Sequence, residues 1–188
     1  MIILAGPSGS GKSTIIARLL KDSGLPLRLS VSATTRAPRP YERNGVHYWF
    51  WTHEHFQEQS QAGAFLEWAT VHDQRYGTLR SEVEAYRTRG VGVLLDIDVQ
   101  GAAQVRSLYP KCVSIFIRTS SREAYEERLR KRGETVESIA RRLASAEREL
   151  QRMNEFDHVV VNDDLESAVA RVRDLIAQAF AKGSSDAG

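Results

Sequence analysis

Met1-Ile-Ile-Leu-Ala-Gly6-Pro-Ser-Gly-Ser-Gly11-Lys12-Ser13-Thr14 is the stretch that decides the fold. Its first five residues are an apolar run, which predicts a short buried strand. Residues 13–22 carry a helical pattern through Ile16, Leu19 and Leu20, closed by Gly24 and Pro26. Between them, Gly6 to Ser13 matches G-x-x-x-x-G-K-[ST] in the strand–loop–helix setting that gives the motif its meaning. Glycines let backbone N–H groups turn inward around phosphate oxygens, and the helix N-terminus adds partial positive charge. Lys12 would reach the β- and γ-phosphates, and the Ser13 hydroxyl would ligate Mg²⁺. The signal is strong for a nucleoside triphosphate and silent on what is done with it.

Outward from this loop, strand-like and helix-like segments alternate. Leu27, Leu29, Val31 and Ala33 alternate with Arg28, Ser30, Ser32 and Thr34, predicting one strand with a polar face. Further strands are predicted at 47–51, 64–71, 91–98, 111–117 and 158–162. Ser120 with Glu123 reads as a capping box opening a helix near 121–131, and Asp163 with Glu166 as one opening the last helix. Ile139, Leu143, Ala146, Leu150 and Met153 step by four and three along one helical stripe. This is the pattern of an α/β protein with a central parallel sheet between helical layers. The stretch 34–79 breaks the rhythm and reads as an inserted mixed lobe, and 125–150, charged and helical, as a mobile cover. Residues 183–188 read as a flexible tail.

Composition narrows the class. Of 188 residues, 41% are hydrophobic and 27% charged, so a single soluble core needs no metal or disulfide to hold it. Cys112 alone gives no disulfide framework and reads as a core residue in a reducing compartment. No apolar run approaches the roughly 18 residues of a membrane span. Met1–Ala5 is too short for a signal peptide and lacks a basic flank. A cytoplasmic location, away from membranes, is expected. The formal net charge of +2 does not suit a binder of long nucleic acid. Arginine greatly outnumbers lysine, which points to phosphate held bidentately on small ligands.

Several polar residues stand out against this frame. Asp96 and Asp98 lie two apart at the end of an apolar strand, a spacing that puts both on one face, either as solvated strand-end carboxylates or with one of them organising Mg²⁺ through water. Asp98-Val-Gln-Gly101 also matches the D-x-x-G of a GTPase switch. However, Asn154-Glu-Phe-Asp157 lacks the lysine of a base-reading N-K-x-D, so that reading fails. Thr34-Thr-Arg36-Ala-Pro-Arg39-Pro sets two arginines three apart across a proline, either a solvated loop or, with Tyr48 and Tyr76, a seat for a phosphate dianion. Glu67 is the odd residue of an apolar strand, either an edge carboxylate facing water or a contact facing a ligand. A carboxylate accepts two hydrogen bonds at once, which fits the N1–H and N2–H₂ edge of guanine and repels the N1 acceptor of adenine. His53 and His55 lack further metal ligands and open a solvated helix; Trp49, Trp51 and Trp68 pack the lobe.

Together these residues resemble guanylate kinase from Gly6 to about Phe180. The resemblance is carried by Ser30-Val-Ser-Ala-Thr-Thr-Arg-Ala-Pro-Arg39, Asn44-Gly-Val-His-Tyr48, Phe65-Leu-Glu-Trp68, Tyr76-Gly77, Leu95-Asp-Ile-Asp-Val-Gln-Gly101 and Val161-Asn-Asp-Asp164. It implies a P-loop NTPase fold with a core of 1–33, 80–124 and 151–182, a GMP-binding lobe of 34–79 and a lid of 125–150. It implies that Arg36, Arg39, Tyr48 and Tyr76 hold the GMP phosphate. Ser32, Glu67 and Thr78 would read guanine, with Asp98 near the nucleoside. ATP would lie on Gly6, Pro7, Ser8, Gly9, Ser10, Gly11, Lys12, Ser13 and Thr14, with Asn162 beside the adenine. Arg128, Arg132 and Arg142 match lid arginines that close over the triphosphate, and with Lys12 and Arg36 they would carry catalysis. Arg132–Ile139 is about one residue shorter than the family pattern. The implied substrates are ATP with GMP or dGMP, the cofactor Mg²⁺, and the state a monomer or homodimer. Two rivals fit less well: a silent scaffold module would have a degraded phosphate loop, and a sugar-phosphate kinase would lack Glu67 and the Thr-Arg-x-Pro-Arg run.

Overall fold

The structure is a computed structural model that describes residues 1–71 and 73–185. In chain order it runs β1 (Ile2–Ala5), α1 (Lys12–Asp22), β2 (Leu27–Leu29), β3 (Ala33–Thr34), β4 (Trp49–Phe50), α2 (His53–Gln61), β5 (Phe65–Val71), β6 (Gln74–Leu79) and α3 (Arg80–Arg87). It continues β7 (Gly92–Asp96), α4 (Val99–Leu108), β8 (Val113–Arg118), α5 (Arg122–Lys131), α6 (Val136–Leu150), β9 (His158–Val161) and α7 (Leu165–Ser185). A 3₁₀ turn, Met153–Glu155, precedes β9. The segment read as a tail begins inside α7; its residues 186–188 lie outside the described residues.

Five parallel strands form the main sheet in the order β2-β7-β1-β8-β9. Alternation assigns each side chain of β1 to a layer. Ile2 and Leu4 pack with Ile15, Leu19, Val172 and Ile176 under α1 and α7. Ile3 and Ala5 face the other way, onto Val83, Val99 and Val105 of α3 and α4. Leu94, Ile115 and Ile117 join the first layer; Val93, Leu95 and Phe116 join the second. Helices cover both faces, so the central strands read as continuous apolar runs rather than alternating ones. β1 leads out of its carboxyl end between β7 and β8, where the strand order reverses and ligands of such sheets collect.

The inserted segment forms a second sheet, β4-β3-β6-β5, with β3 antiparallel to β6 and β6 antiparallel to β5. Its core is Ala33, Phe56, Phe65 and Leu79, backed by Trp49 and Trp51. Trp68 stays 39% exposed, with Phe56 edge-on beneath it. Helices α5 and α6 bury Tyr125, Leu129, Ile139 and Leu143 between themselves, while Met153, the last residue of the predicted stripe, lies beyond α6 and packs against the α3–α4 layer.

Three details correct the sequence reading, and a fourth agrees with it. The strand predicted over Leu27–Thr34 is two strands in two sheets: β2 pairs with β7, and after Ser30 the chain crosses so that Ala33 and Thr34 pair with Gly77 and Tyr76. Alternation reports which face a side chain takes and not which strand it pairs with. β6 was not foreseen, because Gln74, Arg75 and Thr78 give it no apolar signal. Both predicted helix caps shift by one residue. Ser121, not Ser120, accepts from Ala124 N at α5, and Asp164 accepts from Ser167 N at α7. Asp163 instead accepts from Ser120 N at 2.9 Å, tying the start of α7 to the β8–α5 turn. Finally, Asp157, the residue weighed as part of a base-reading motif, is structural. Its Oδ2 accepts from Ser114 N at 2.8 Å and Ser114 Oγ at 2.6 Å, satisfying a buried hydroxyl on β8.

Candidate functional site

The phosphate loop turns between β1 and α1, with Ser10 N donating to Pro7 O at 3.1 Å. Gly11 holds φ +93°, and a Cβ there would collide with Asn162 Nδ2, so this corner requires glycine. The Lys12 ammonium donates to the carbonyl oxygens of Gly6 and, at 3.4 Å, Pro7, which lays it across the loop's mouth. Ser13 and Thr14 are exposed on the first turn of α1. Asn162, buried at the end of β9, donates from Nδ2 to Ser10 O at 2.7 Å. Its side chain thus supports the loop from behind, a role the sequence did not indicate.

Two arginines, one on α5 and one on α6, reach the same loop. Arg128 donates to Gly9 O at 3.3 Å, Ser10 O at 3.2 Å and the backbone carbonyl of Asn162 at 2.6 Å. Arg142 donates from Nη1 to Ser8 Oγ at 2.9 Å and from Nε to Glu134 at 3.2 Å. Arg132 ends α5 exposed and makes no hydrogen bond to the loop among the described residues. Burial works against the Glu134 charge, but Ser138, Arg142 and, from the lobe, Arg39 hold its carboxyl below the ordinary range. Arg39 of the inserted segment therefore lies close enough to the α5–α6 loop to act on Glu134.

Carboxylates line the floor. Asp96 closes β7 next to β1; burial raises its pKa while Lys12 pulls the other way. The strand ends there rather than at 98, so the two aspartates do not share a strand face. Asp98 instead caps α4, accepting from Gly101 N at 2.8 Å. Glu149 of α6 was not singled out by the sequence. Burial raises its pKa, Lys12 opposes, and Asp98 adds to the rise. It belongs to α6 yet feels the charges of Lys12 and Asp98.

On the lobe, Arg36 and Glu42 form a two-pronged pair at 2.9 Å through each nitrogen, and Arg39 N donates to Glu42 at 2.7 Å. Glu42 fixes the arginine loop in place of regular structure, which prolines forbid. The Arg36 guanidinium lies 5.5 Å from the Tyr48 ring centre, and Tyr48 stands edge-on to Tyr76 at 6.0 Å. Burial, followed by the negative charge of Asp96, pushes the Tyr48 phenol well up, so it remains a donor. Arg39 is exposed and donates to Tyr41 Oη at 3.1 Å.

Glu67 lies deeper, only 4% exposed. β5 carries one extra residue between Phe65 and Glu67 relative to β6, a bulge that re-aims the side chain onto Thr78. Glu67 Oε1 accepts from Thr78 N at 3.0 Å and Thr78 Oγ1 at 2.6 Å. Its pKa is raised to about 7: burial lifts it, Thr78 opposes, and Asp98 adds to the rise. Ser32, also buried, sits on the β2–β3 crossing. The glycine-rich loop with Lys12 thus forms one part of the site, and a cationic loop with a buried carboxylate acceptor the other.

The guanylate kinase family profile matches residues 1–179. The chain belongs to the guanylate kinase family. A protein named guanylate kinase from Shewanella sp. (strain MR-7) is 44% identical over 186 residues, covering 98% of this chain and 90% of that one. The crystal structure of guanylate kinase from Anaplasma phagocytophilum superposes with a TM-score of 0.78 at 32% identity, over 95% of this chain and 84% of that one. A gluconokinase from Sinorhizobium meliloti 1021 superposes with a TM-score of 0.51 at 16% identity, covering 100% and 97%, a likeness of fold alone.

Ser13 follows Lys12 in the chain and Asp96 lies within electrostatic reach of Lys12, so these two would offer Mg²⁺ a hydroxyl and a carboxylate, both hard oxygen donors. Among the described residues no group of three or more His, Cys, Asp and Glu could hold a metal ion. A sparse oxygen set suits Mg²⁺, which keeps several waters and takes phosphate oxygens as ligands. Glu42, Glu134 and Glu149 are the polar residues that sequence reading missed. Each acts on a partner 6 to 137 positions away (Arg36, Arg142, Lys12), and no local pattern marks a carboxylate for such a task.

Proposed function

We propose that this chain transfers the γ-phosphoryl group of ATP to the phosphate of GMP, and of dGMP, releasing ADP and GDP or dGDP. The observation that carries the reading is Glu67: a buried carboxylate in an apolar strand, with one oxygen held by Thr78 and the other lying against Gly101 at the start of α4. The lobe of 34–79 serves as the GMP module, 125–150 as the lid, and the remainder up to 182 as the core. Arg36, Arg39, Tyr48 and Tyr76 hold the GMP phosphate; Ser32, Glu67 and Thr78 read guanine, with Asp98 close to the nucleoside. Gly6–Thr14 hold the triphosphate, Asn162 supports the adenosine end, and Arg128, Arg132 and Arg142 close over it. The chain works in the cytoplasm, as a monomer or homodimer, on nucleotides and not on nucleic acid.

A GMP phosphate oxygen attacks the γ-phosphorus in line as the bond to the β-phosphate oxygen breaks, and ADP leaves with that electron pair. The acceptor is already an anion, so no strong general base is needed. Mg²⁺, held by Ser13 and Asp96, would neutralise charge on the β- and γ-phosphates. Lys12 and the arginines position the two phosphates against mutual repulsion, which is where most of the rate comes from. Lid closure excludes water, a competing acceptor. With ATP, Mg²⁺ and GMP, separated products should show ADP and GDP in equal amounts. ADP without GDP would mean hydrolysis and would reject the assignment.

A further inference from the structure

The Asp98-Val-Gln-Gly101 run fails as a GTPase switch, and the proposed reaction uses only its aspartate. Its glycine has a different significance. Gly101 lies in the first turn of α4, buried, with its N–H on Asp98 Oδ1 at 2.8 Å. A Cβ built on Gly101 would overlap Glu67 Oε2, and would lie 2.9 Å from Glu67 Cδ and 3.5 Å from Asp98 Oδ1. The free oxygen of the base-reading carboxylate therefore rests on the bare Cα of this residue.

Neither partner can step aside easily. Glu67 is held through Oε1 by two hydrogen bonds from Thr78 and is surrounded on nearly all sides. α4 is fixed against the same strand one turn later, where Gln104 donates from Nε2 to Trp68 O at 3.0 Å and accepts from Trp68 N at 3.4 Å. Positions 101 and 104 share one helix face, so the helix meets β5 with Gln104 as the tie and Gly101 as the space beneath Glu67. No positive φ requires glycine here, and alanine is the better helix former. The backbone gives no reason for glycine; the approach of Glu67 does.

We propose that Gly101 is a positioning residue for guanine selection: the missing side chain lets Glu67 Oε2 seat at the N-terminus of α4, where it meets the base edge. This rests on the reading of Glu67 given above. The test is a double-mutant cycle on the full chain with Gly101→Ala, Glu67→Ala and both together, measuring kcat and KM for GMP and AMP and the affinity for ATP. Gly101→Ala should lower kcat/KM for GMP roughly 10²-fold, mainly through KM, with ATP affinity unchanged. The double variant should be no worse than Glu67→Ala. If Gly101→Ala alone does not fold, removing Glu67 as well should restore folding.

An unchanged KM for GMP in a folded Gly101→Ala variant would overturn the inference. So would losses that multiply in the double variant, or a double variant that stays unfolded. If Glu67→Ala itself leaves the preference for GMP intact, the reading of Glu67 fails and takes this inference with it. If Glu67→Ala abolishes the preference and Gly101→Ala does not, only the inference about Gly101 fails.

Discussion

Lys12→Ala should lower turnover by about 10³-fold or more while KM for GMP changes much less. The Lys12 ammonium already lies across the loop, on the carbonyl oxygens of Gly6 and Pro7, where β- and γ-phosphate oxygens would arrive. Its charge matters most as negative charge builds on the leaving β-phosphate oxygen, so its removal weakens the transition state more than the ground state. In the proposed reaction GMP would be held elsewhere, by the Arg36–Tyr48–Tyr76 cluster. The side chain is only half-buried, so the fold should survive its removal. Equal losses in turnover and GMP affinity would mean that Lys12 acts on folding or on GMP instead.

Glu67→Gln should remove the preference for guanine, with kcat/KM for GMP falling by up to roughly 10⁴-fold toward that for AMP. The amide keeps an acceptor for Thr78 but presents N–H₂ where guanine also presents donors, leaving buried donors face to face. Its pH dependence separates this from a packing defect. The acceptor is the ionised form, and the carboxyl titrates at about 7. KM for GMP should therefore rise as pH falls below 7, about tenfold per unit, and Glu67→Gln should flatten that added dependence.

Stability moves the other way. The folded chain holds this proton more tightly than the unfolded chain, where the carboxyl titrates near 4.5, so stability falls as pH rises from about 4.5 to 7. By pH 8 the loss is on the order of 3 kcal/mol, and Glu67→Gln should melt higher by roughly 8 °C. A variant that loses both stability and selection would mark Glu67 as a packing residue only.

What the sequence revealed was whatever local spacing encodes. The glycines of the phosphate loop and the apolar strand beside it are contiguous, and the three-layer core follows from them. Ile139, Leu143 and Leu150 follow helical periodicity and pack with Tyr125 and Leu129 of α5, whereas Met153, the last residue of the predicted stripe, falls in the 3₁₀ turn beyond α6. Features set by distant partners were not legible. The split of Leu27–Thr34 between two sheets depends on β7 and β6, far along the chain. The bulge that aims Glu67 comes from its register against β6, a strand without an apolar signal. Asn162 turned out to brace the loop through Ser10. The caps moved by one residue because neighbouring serines and aspartates compete for the same backbone N–H groups, and the turn geometry decides between them.

The most direct test of the account is ADP release from ATP and Mg²⁺ with GMP, dGMP, AMP, CMP and UMP offered separately. Turnover confined to GMP and dGMP is the predicted result, because only guanine presents two donors to Glu67. Turnover that prefers AMP would contradict the base reading while leaving the phosphate chemistry standing; no transfer to any of the five would contradict the account as a whole.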